Sequence, residues 1–176
     1  MKKLFAIIAL IAIVLLWGTS FVVSKDVLDS APPVFVIACR ALVTVVVLLP
    51  FVLGKLRNLN AKQLGLALIT GVVVSLAYVT QIVGLQYTTP AKCGFYENAY
   101  CIVVPFFVWV LQKKRPLFKS WITVALCVAG IVVIGCDFEN FSVNGGDVLC
   151  ILAGALFGVN IALTGVLAKD VNPVAY

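Results

Sequence analysis

Residues Leu4–Val23 read LFAIIALIAIVLLWGTSFVV, twenty positions without a charged side chain. An α-helix rises about 1.5 Å per residue, so such a run covers about 30 Å, the hydrocarbon thickness of a bilayer. The rest of the chain repeats the pattern. Of its 176 residues 63% are hydrophobic and 11% are charged, and the mean hydropathy is +1.16. Soluble domains hold about 45–50% apolar residues. The expected fold class is therefore all-α: a polytopic helical membrane protein seated in the lipid bilayer, with little chain left for a soluble domain.

Six apolar segments follow one another: Leu4–Val23, Val34–Leu53, Leu64–Leu85, Ala91–Leu111, Trp121–Cys136 and Val148–Leu167. Six transmembrane helices are expected from them. The connections are short and carry breakers, namely Ala31-Pro32-Pro33, Leu53-Gly54, Thr89-Pro90, Arg115-Pro116 and Asn144-Gly145-Gly146. Pro33 and Pro90 suit the first turn of a helix, where a missing N–H costs little. Met1-Lys2-Lys3 with the apolar run behind it also has the form of a secretory leader, with Gly18-Thr19-Ser20 as small residues for cleavage. The run continues through Phe21-Val22-Val23, however, and five more spans follow, which favours a retained first span.

The net charge is +6. In a soluble protein that excess would suggest nucleic acid, but here the basic residues sit in short loops, and no nucleic-acid partner is expected. Lys2 and Lys3, then Lys55, Arg57 and Lys62, then Lys113, Lys114, Arg115 and Lys119, and finally Lys169 all fall on one side of the six spans. The opposite side holds Lys25 and, at a span edge, Lys92. Basic residues mark the cytoplasmic side, so the N-terminus is expected inside, in a multi-pass protein of the cell (inner or plasma) membrane. There is no histidine, which removes the commonest general base and the commonest nitrogen ligand for metals. Cys39, Cys93, Cys101, Cys127, Cys136 and Cys150 form no CxxC pair and read as small apolar packing residues. No metal, cofactor or catalytic residue is expected.

Two stretches echo each other at an offset of 140 residues: LLWGTSFVVSKDVLDSAPPVF from Leu15 and ALFGVNIALTGVLAKDVNPVA from Ala155. Leu16 meets Leu156, Trp17 meets Phe157, Gly18 meets Gly158, Ser20 meets Asn160, and Pro33-Val34 meets Pro173-Val174. Five spans lie between the copies. Because five is odd, the second copy enters the bilayer from the opposite side, the inverted-repeat arrangement of many secondary transporters. The expected domains are residues 1–140, a first five-helix repeat, and 141–176, the start of a second. On that reading the chain is either a fragment or one half of an assembly completed by another polypeptide.

Several stretches resemble the EamA-like family of drug/metabolite transporters. They are LLWGTSFV at Leu15–Val22, RALVTVVVLLPF at Arg40–Phe51, GLQYTTPAKCGF at Gly84–Phe95, VPFFVWVLQKKRP at Val104–Pro116 and GDVLCILAGALFGVNIAL at Gly146–Leu163. The resemblance covers nearly the whole chain in the right order. It implies two inverted five-helix repeats, and movement of a small metabolite or drug-like molecule across the membrane, often outward, in most members without a nucleotide. Glu97 and Asn98 depart from the pattern, which has small or hydroxyl residues there.

Counting depth at about 1.5 Å per residue places the polar groups of four spans at one level, roughly 4–10 Å to the outer side of the bilayer centre. They are Trp17 and Ser20 of span one, Arg40 of span two, Tyr78 and Gln81 of span three, and Glu97 and Asn98 of span four. Groups at a shared level suggest one cavity, and these seven are the candidate substrate-binding residues. A charge inside a bilayer costs several kcal/mol, so Arg40 and Glu97 at matching depth are expected to face each other. On span four, Cys93, Gly94, Glu97, Tyr100 and Cys101 form a small-to-polar face, and Phe95, Ile102 and Phe106 lie opposite as a lipid-facing stripe. Pro105 is expected to kink this span near Cys101. Gly154-Ala155-Leu156-Phe157-Gly158 is a GxxxG pattern for close helix contact, within the chain or in a dimer.

The expected function is therefore alternating-access transport of a small molecule, incomplete in this chain without a second half. The rivals are a half-size transporter acting as a homodimer, and a non-transporting scaffold or truncated remnant. Span one holds no acid, which argues against the small multidrug-resistance kind, whose first-span Glu is its proton site. An intramembrane enzyme is disfavoured, since the spans hold no His, metal cluster or nucleophile–base pair.

Overall fold

Lipid offers no partner to a backbone N–H or C=O, so a spanning segment must satisfy its own. The computed structural model describes residues 2–56, 61–113, 118–135 and 143–167, and it meets that demand with helices. They are α1 (Lys2–Leu28), α2 (Pro33–Leu56), α3 (Ala61–Tyr87), α4 (Pro90–Glu97), α5 (Tyr100–Gln112), α6 (Phe118–Gly135) and α7 (Gly145–Leu167). Five stretches are long and apolar enough to cross a bilayer: Leu4–Leu28, Pro33–Pro50, Gln63–Tyr87, Pro90–Val110 and Gly145–Gly165. The apolar part of α6, Phe118–Gly130, is shorter. Arg57, Lys114, Arg115, Pro116, Cys136, Lys169 and the Pro173-Val174 pair lie outside the described residues.

Local chemistry sets several boundaries. Helices α2 and α4 start at Pro33 and Pro90, where the ring supplies the helical φ and removes only an N–H that has no partner in a first turn. Thr89 caps α4 by accepting from the Lys92 amide at 3.2 Å. Asn144 and Asp147 cap α7 reciprocally: the Asp147 amide donates to Asn144 Oδ1 at 2.9 Å, and the Asn144 amide donates to Asp147 Oδ2 at 3.2 Å. Helix α1 runs past Val23 to Leu28. That extra turn lets the Lys25 ammonium donate to the carbonyls of Leu85 and Gln86 at 2.9 and 2.8 Å, closing the C-terminus of α3.

Span four is where sequence and structure part. Pro105 sits inside an unbroken α5 and does not interrupt it. The interruption falls earlier, between Glu97 and Tyr100. There the amides of Asn98, Ala99, Cys101 and Ile102 bond three residues back, at 3.1, 3.0, 2.9 and 2.9 Å. The chain tightens into a 3₁₀-type turn instead of continuing the α pattern. The cause is visible on α7, where a Cβ at Gly154 would run into the backbone of Glu97. The close crossing of two backbones at that glycine holds the turn.

Helix α7 is the centre of the bundle, packed against α3, α4 and α5. Glycines permit it. A Cβ at Gly158 would come within 2.8 Å of Val103 Cβ, and one at Gly146 within 2.7 Å of Tyr87 Cβ. Of the two readings of the GxxxG pattern, the internal contact is the one this structure uses. The buried core gathers at the end where α3 passes into α4, from Leu28, Val36, Ile82, Leu85, Cys93, Tyr96 and Cys150. Thr88 donates to the fully buried Asp147 there, and Asn144 Nδ2 donates to the Tyr87 carbonyl at 2.9 Å. By contrast α1 presents Leu4, Phe5, Leu10 and Leu16 at 62–76% exposure, the surface of a helix that faces lipid or another membrane element.

Candidate functional site

The break in span four opens onto a cavity of about 770 Å³ between α1 and the α4–α5 segment. A volume of this order suits a small-molecule ligand, for which pockets of about 300–1,000 Å³ are usual. Trp17, Phe21, Phe95 and Tyr100 give it aromatic walls, Gly18 and Gly94 give it room, and Glu97 and Asn98 are its polar groups at the break. At Gly94 α1 packs at ordinary contact distance, since a Cβ there would rest 3.6 Å from the Phe21 ring.

Glu97 is 4% exposed and is held from α3, where Gln81 Nε2 donates to its Oε2 at 2.6 Å. A carboxylate only accepts, so it can meet only the NH₂ end of the Gln81 amide. Gln81 Oε1 is accordingly left buried without a partner among the described residues, as is Asn160 Oδ1 on α7. Asn98 folds back, donating from Nδ2 to the Gly94 carbonyl at 3.1 Å, and its own carbonyl accepts from the Cys127 thiol at 3.4 Å.

The seven candidate residues do not line one cavity. Trp17, Glu97 and Asn98 do, and Gln81 stands behind Glu97. Arg40, Tyr78 and Ser20 belong elsewhere. Arg40 and Tyr78 border a separate cavity of about 380 Å³ between α2 and α3, and Ser20 and Arg40 border one of about 360 Å³ between α1 and α2. The expected Arg40–Glu97 pairing is corrected as well. The Arg40 guanidinium lies over the Tyr78 ring, 5.5 Å from its centroid, and donates to Ser24 Oγ at 3.4 Å. The physical reason is α3. It stands between α2 and α4, and two of its polar side chains take one charge each: Tyr78 receives Arg40 and Gln81 receives Glu97. Arg40 remains within electrostatic reach of Glu97. Tyr78 also meets Phe157 of α7 edge to face, with centroids 5.1 Å apart, so a cation–aromatic–aromatic column runs from α2 through α3 to α7.

The expected lipid-facing stripe is corrected at Phe95, whereas Phe106 is exposed as expected. Phe95 lines the cavity and packs on α6, where a Cβ at Gly130 would come within 3.0 Å of its ring. Phe106 stacks edge to face on Trp121 at 5.2 Å, still partly exposed. The turn at Asn98–Ala99 changes helical phase, so a face counted through it does not persist. Gly94 lies on the expected small-to-polar face, but Phe21 and Phe95 were not singled out as cavity residues in the sequence; only an aromatic pattern on facing helices could have pointed to them.

A bundle of apolar helices long enough to cross a bilayer, one of them interrupted beside a ligand-sized cavity with a buried acid at the break, defines a multi-pass membrane protein. Comparison with known proteins is in keeping with this. The EamA-like transporter family matches residues 4–136, and the chain belongs to that family. Among curated relatives, one uncharacterized transporter of Archaeoglobus fulgidus is 29% identical over 172 residues, covering 98% of this chain and 53% of its own length. Another from the same organism is 28% identical over 156 residues, covering 85% of this chain and 53% of its own. The chain thus spans about half the length of the relatives it matches. No solved structure matches it.

Proposed function

We propose that this chain supplies one wall of an alternating-access transporter that carries a small metabolite or drug-like molecule across the cell membrane, in the outward direction. The observation that carries the reading is the break at Glu97–Asn98. The turn interrupts the α pattern of a span while its amides stay bonded three residues back, and discontinuous spans bordering a cavity are how secondary transporters commonly build their binding sites. Trp17 and the other aromatic walls contact the apolar body of the substrate, while Glu97 and Asn98 fix its orientation. Arg40, Tyr78 and Ser20 act one helix away, Arg40 through its field rather than by contact.

Residues 1–140 form one five-helix repeat and 141–176 begin the second. The opposite wall comes from the rest of an inverted repeat, in keeping with relatives about twice as long. Rocking of the two repeats about α7, which already packs within the first, opens the cavity to either side. The N-terminus and the basic loops face the cytoplasm. The test is accumulation or efflux of a compound panel in membrane vesicles that carry this chain together with the second repeat that completes it, comparing wild type with Glu97→Gln and Trp17→Ala at matched membrane levels. Loss of transport in both supports the reading. Undiminished transport in both refutes the assigned site, and no transport by the wild type in either direction refutes the transporter assignment.

A further inference from the structure

Two thiols meet where α7 crosses α4, at a point the cavity does not use. Cys93 lies within the first turns of α4 and Cys150 within those of α7, and each is 0% exposed. Their sulfurs are 2.7 Å apart, with Cys150 donating to Cys93, and Cys93 in turn faces the Gln81 carbonyl at 4.0 Å. Non-bonded carbon atoms, smaller than sulfur, rest at about 3.5–4.0 Å. The thiols are therefore pressed together. The third side of the contact is α3, where a Cβ at Gly84 would come within 2.9 Å of Cys150 Sγ. A glycine there is what lets Cys150 seat against Cys93. Packing as a small apolar residue, the ordinary role of a buried cysteine, requires no such approach.

We propose that Cys93 and Cys150 are a disulfide-forming pair that covalently joins α4 to α7. The sulfurs need to close by only about 0.7 Å from their 2.7 Å separation to reach the S–S bond length of about 2.0 Å. The co-reactant is a disulfide of an exchanging oxidant, a protein or a small molecule. One cysteine, as thiolate, attacks that disulfide and expels one thiol; the other then attacks the mixed disulfide and expels the second. Two electrons and two protons leave the cysteine pair, and the oxidant's disulfide is reduced to two thiol groups.

The location suits this chemistry. Cys93 is three residues from Pro90 and Cys150 five from Gly145, which is about 4.5 and 7.5 Å along the two helices from the end opposite the basic loops. The charge bias makes that the non-cytoplasmic side, where disulfides persist. One turn further along each helix lie Glu97 and Gly154, whose backbones cross. The bond therefore fastens the two helices beside the break in span four, and ties the family-matched segment to the helix that follows it.

The test uses the chain in membranes, treated either with a dithiol reductant or with dithiodipyridine, a permeant small-molecule disulfide. Remaining thiols are alkylated under denaturing conditions and the protein is cleaved with chymotrypsin, whose sites at Phe95, Tyr96 and Tyr100 separate Cys93 from Cys101. Mass spectrometry without reduction then reads the links. The expected result is a Cys93–Cys150 linked species as the main cysteine pair after oxidation, lost on reduction, with Cys93→Ser and Cys150→Ser each leaving the other cysteine unlinked. Cys101 and Cys127 also approach one another and serve as the internal comparison. Recovery of Cys93 and Cys150 as separate alkylated or pyridyl-capped peptides after oxidation overturns the proposal. Should the serine variants fail to accumulate, the reversibility of the wild-type link decides alone.

Discussion

Gly154→Ala adds one methyl group at the crossing that holds the break. The new Cβ would lie 2.9 Å from both the carbonyl carbon and the Cα of Glu97, and closer still to its carbonyl oxygen. Carbon atoms rest at about 3.5–4.0 Å, so α7 must retreat from α4 by about 0.6–1.1 Å. The obstacle is backbone and cannot rotate aside. Overpacking of this kind costs about 1–3 kcal/mol. Alanine also gains up to about 1 kcal/mol over glycine in helix propensity, so the comparison needs a control on the same helix. Gly165→Ala supplies it, because nothing lies within 4 Å of a Cβ there. Propensity cancels between the two variants, and Gly154→Ala should be the less stable by about 1–3 kcal/mol. Unfolding in mixed micelles of increasing denaturing-detergent fraction, followed by tryptophan fluorescence, measures the difference. Variants that coincide within about 0.5 kcal/mol, the scatter of an inconsequential surface change, would refute the close crossing and with it the explanation of the break.

Gln81→Leu removes the hydrogen bond that Gln81 Nε2 gives the Glu97 side chain; it should destabilise the fold by about 1–3 kcal/mol, and Glu97→Gln made in the same background should recover part of the loss in the same unfolding assay. Asn144→Ala removes the Oδ1 half of the reciprocal cap on α7 and the bond to the Tyr87 carbonyl; a loss of about 1 kcal/mol is expected, and Asn144→Asp, which keeps the cap acceptor but sets a carboxylate against the Tyr87 carbonyl and beside Asp147, should recover little of it. A double-mutant cycle between Arg40→Gln and Tyr78→Leu should return a coupling of about 0.5–1 kcal/mol for the cation over the ring, whereas the Arg40–Glu97 cycle should return less, because α3 separates them.

Depth was legible in the sequence and azimuth was not. Arg40, Tyr78, Gln81 and Glu97 could be set at one level because helix rise is uniform, and the structure joins them in two pairs across α3. Which pairs form depends on how each helix is rotated about its axis, and polar groups on α3 can answer either neighbour. Pro33 and Pro90 announced helix starts because proline has few other uses there. Pro105 gave no sign of the interruption, which falls upstream of it at Asn98–Ala99, beside the close crossing of α7 at Gly154 that a single span cannot reveal. The GxxxG pattern marked a close contact correctly but left its partner open, since small residues suit a neighbour within the chain as well as a second copy. Cys93 and Cys150 gave no spacing signal, as 57 residues separate them and only the seating of α7 brings them together.

The central claim is that the broken segment of span four forms the wall of a cavity that a ligand can enter. Single cysteines at Asn98, and as a buried reference at Ala77, which is 0% exposed, can be probed in membranes with a small charged thiol reagent above the background of the native thiols. The account predicts that Asn98→Cys is modified at least tenfold faster than Ala77→Cys, and that a transported compound slows the modification. Equal rates at the two positions, or an Asn98→Cys that stays unreactive, would contradict it.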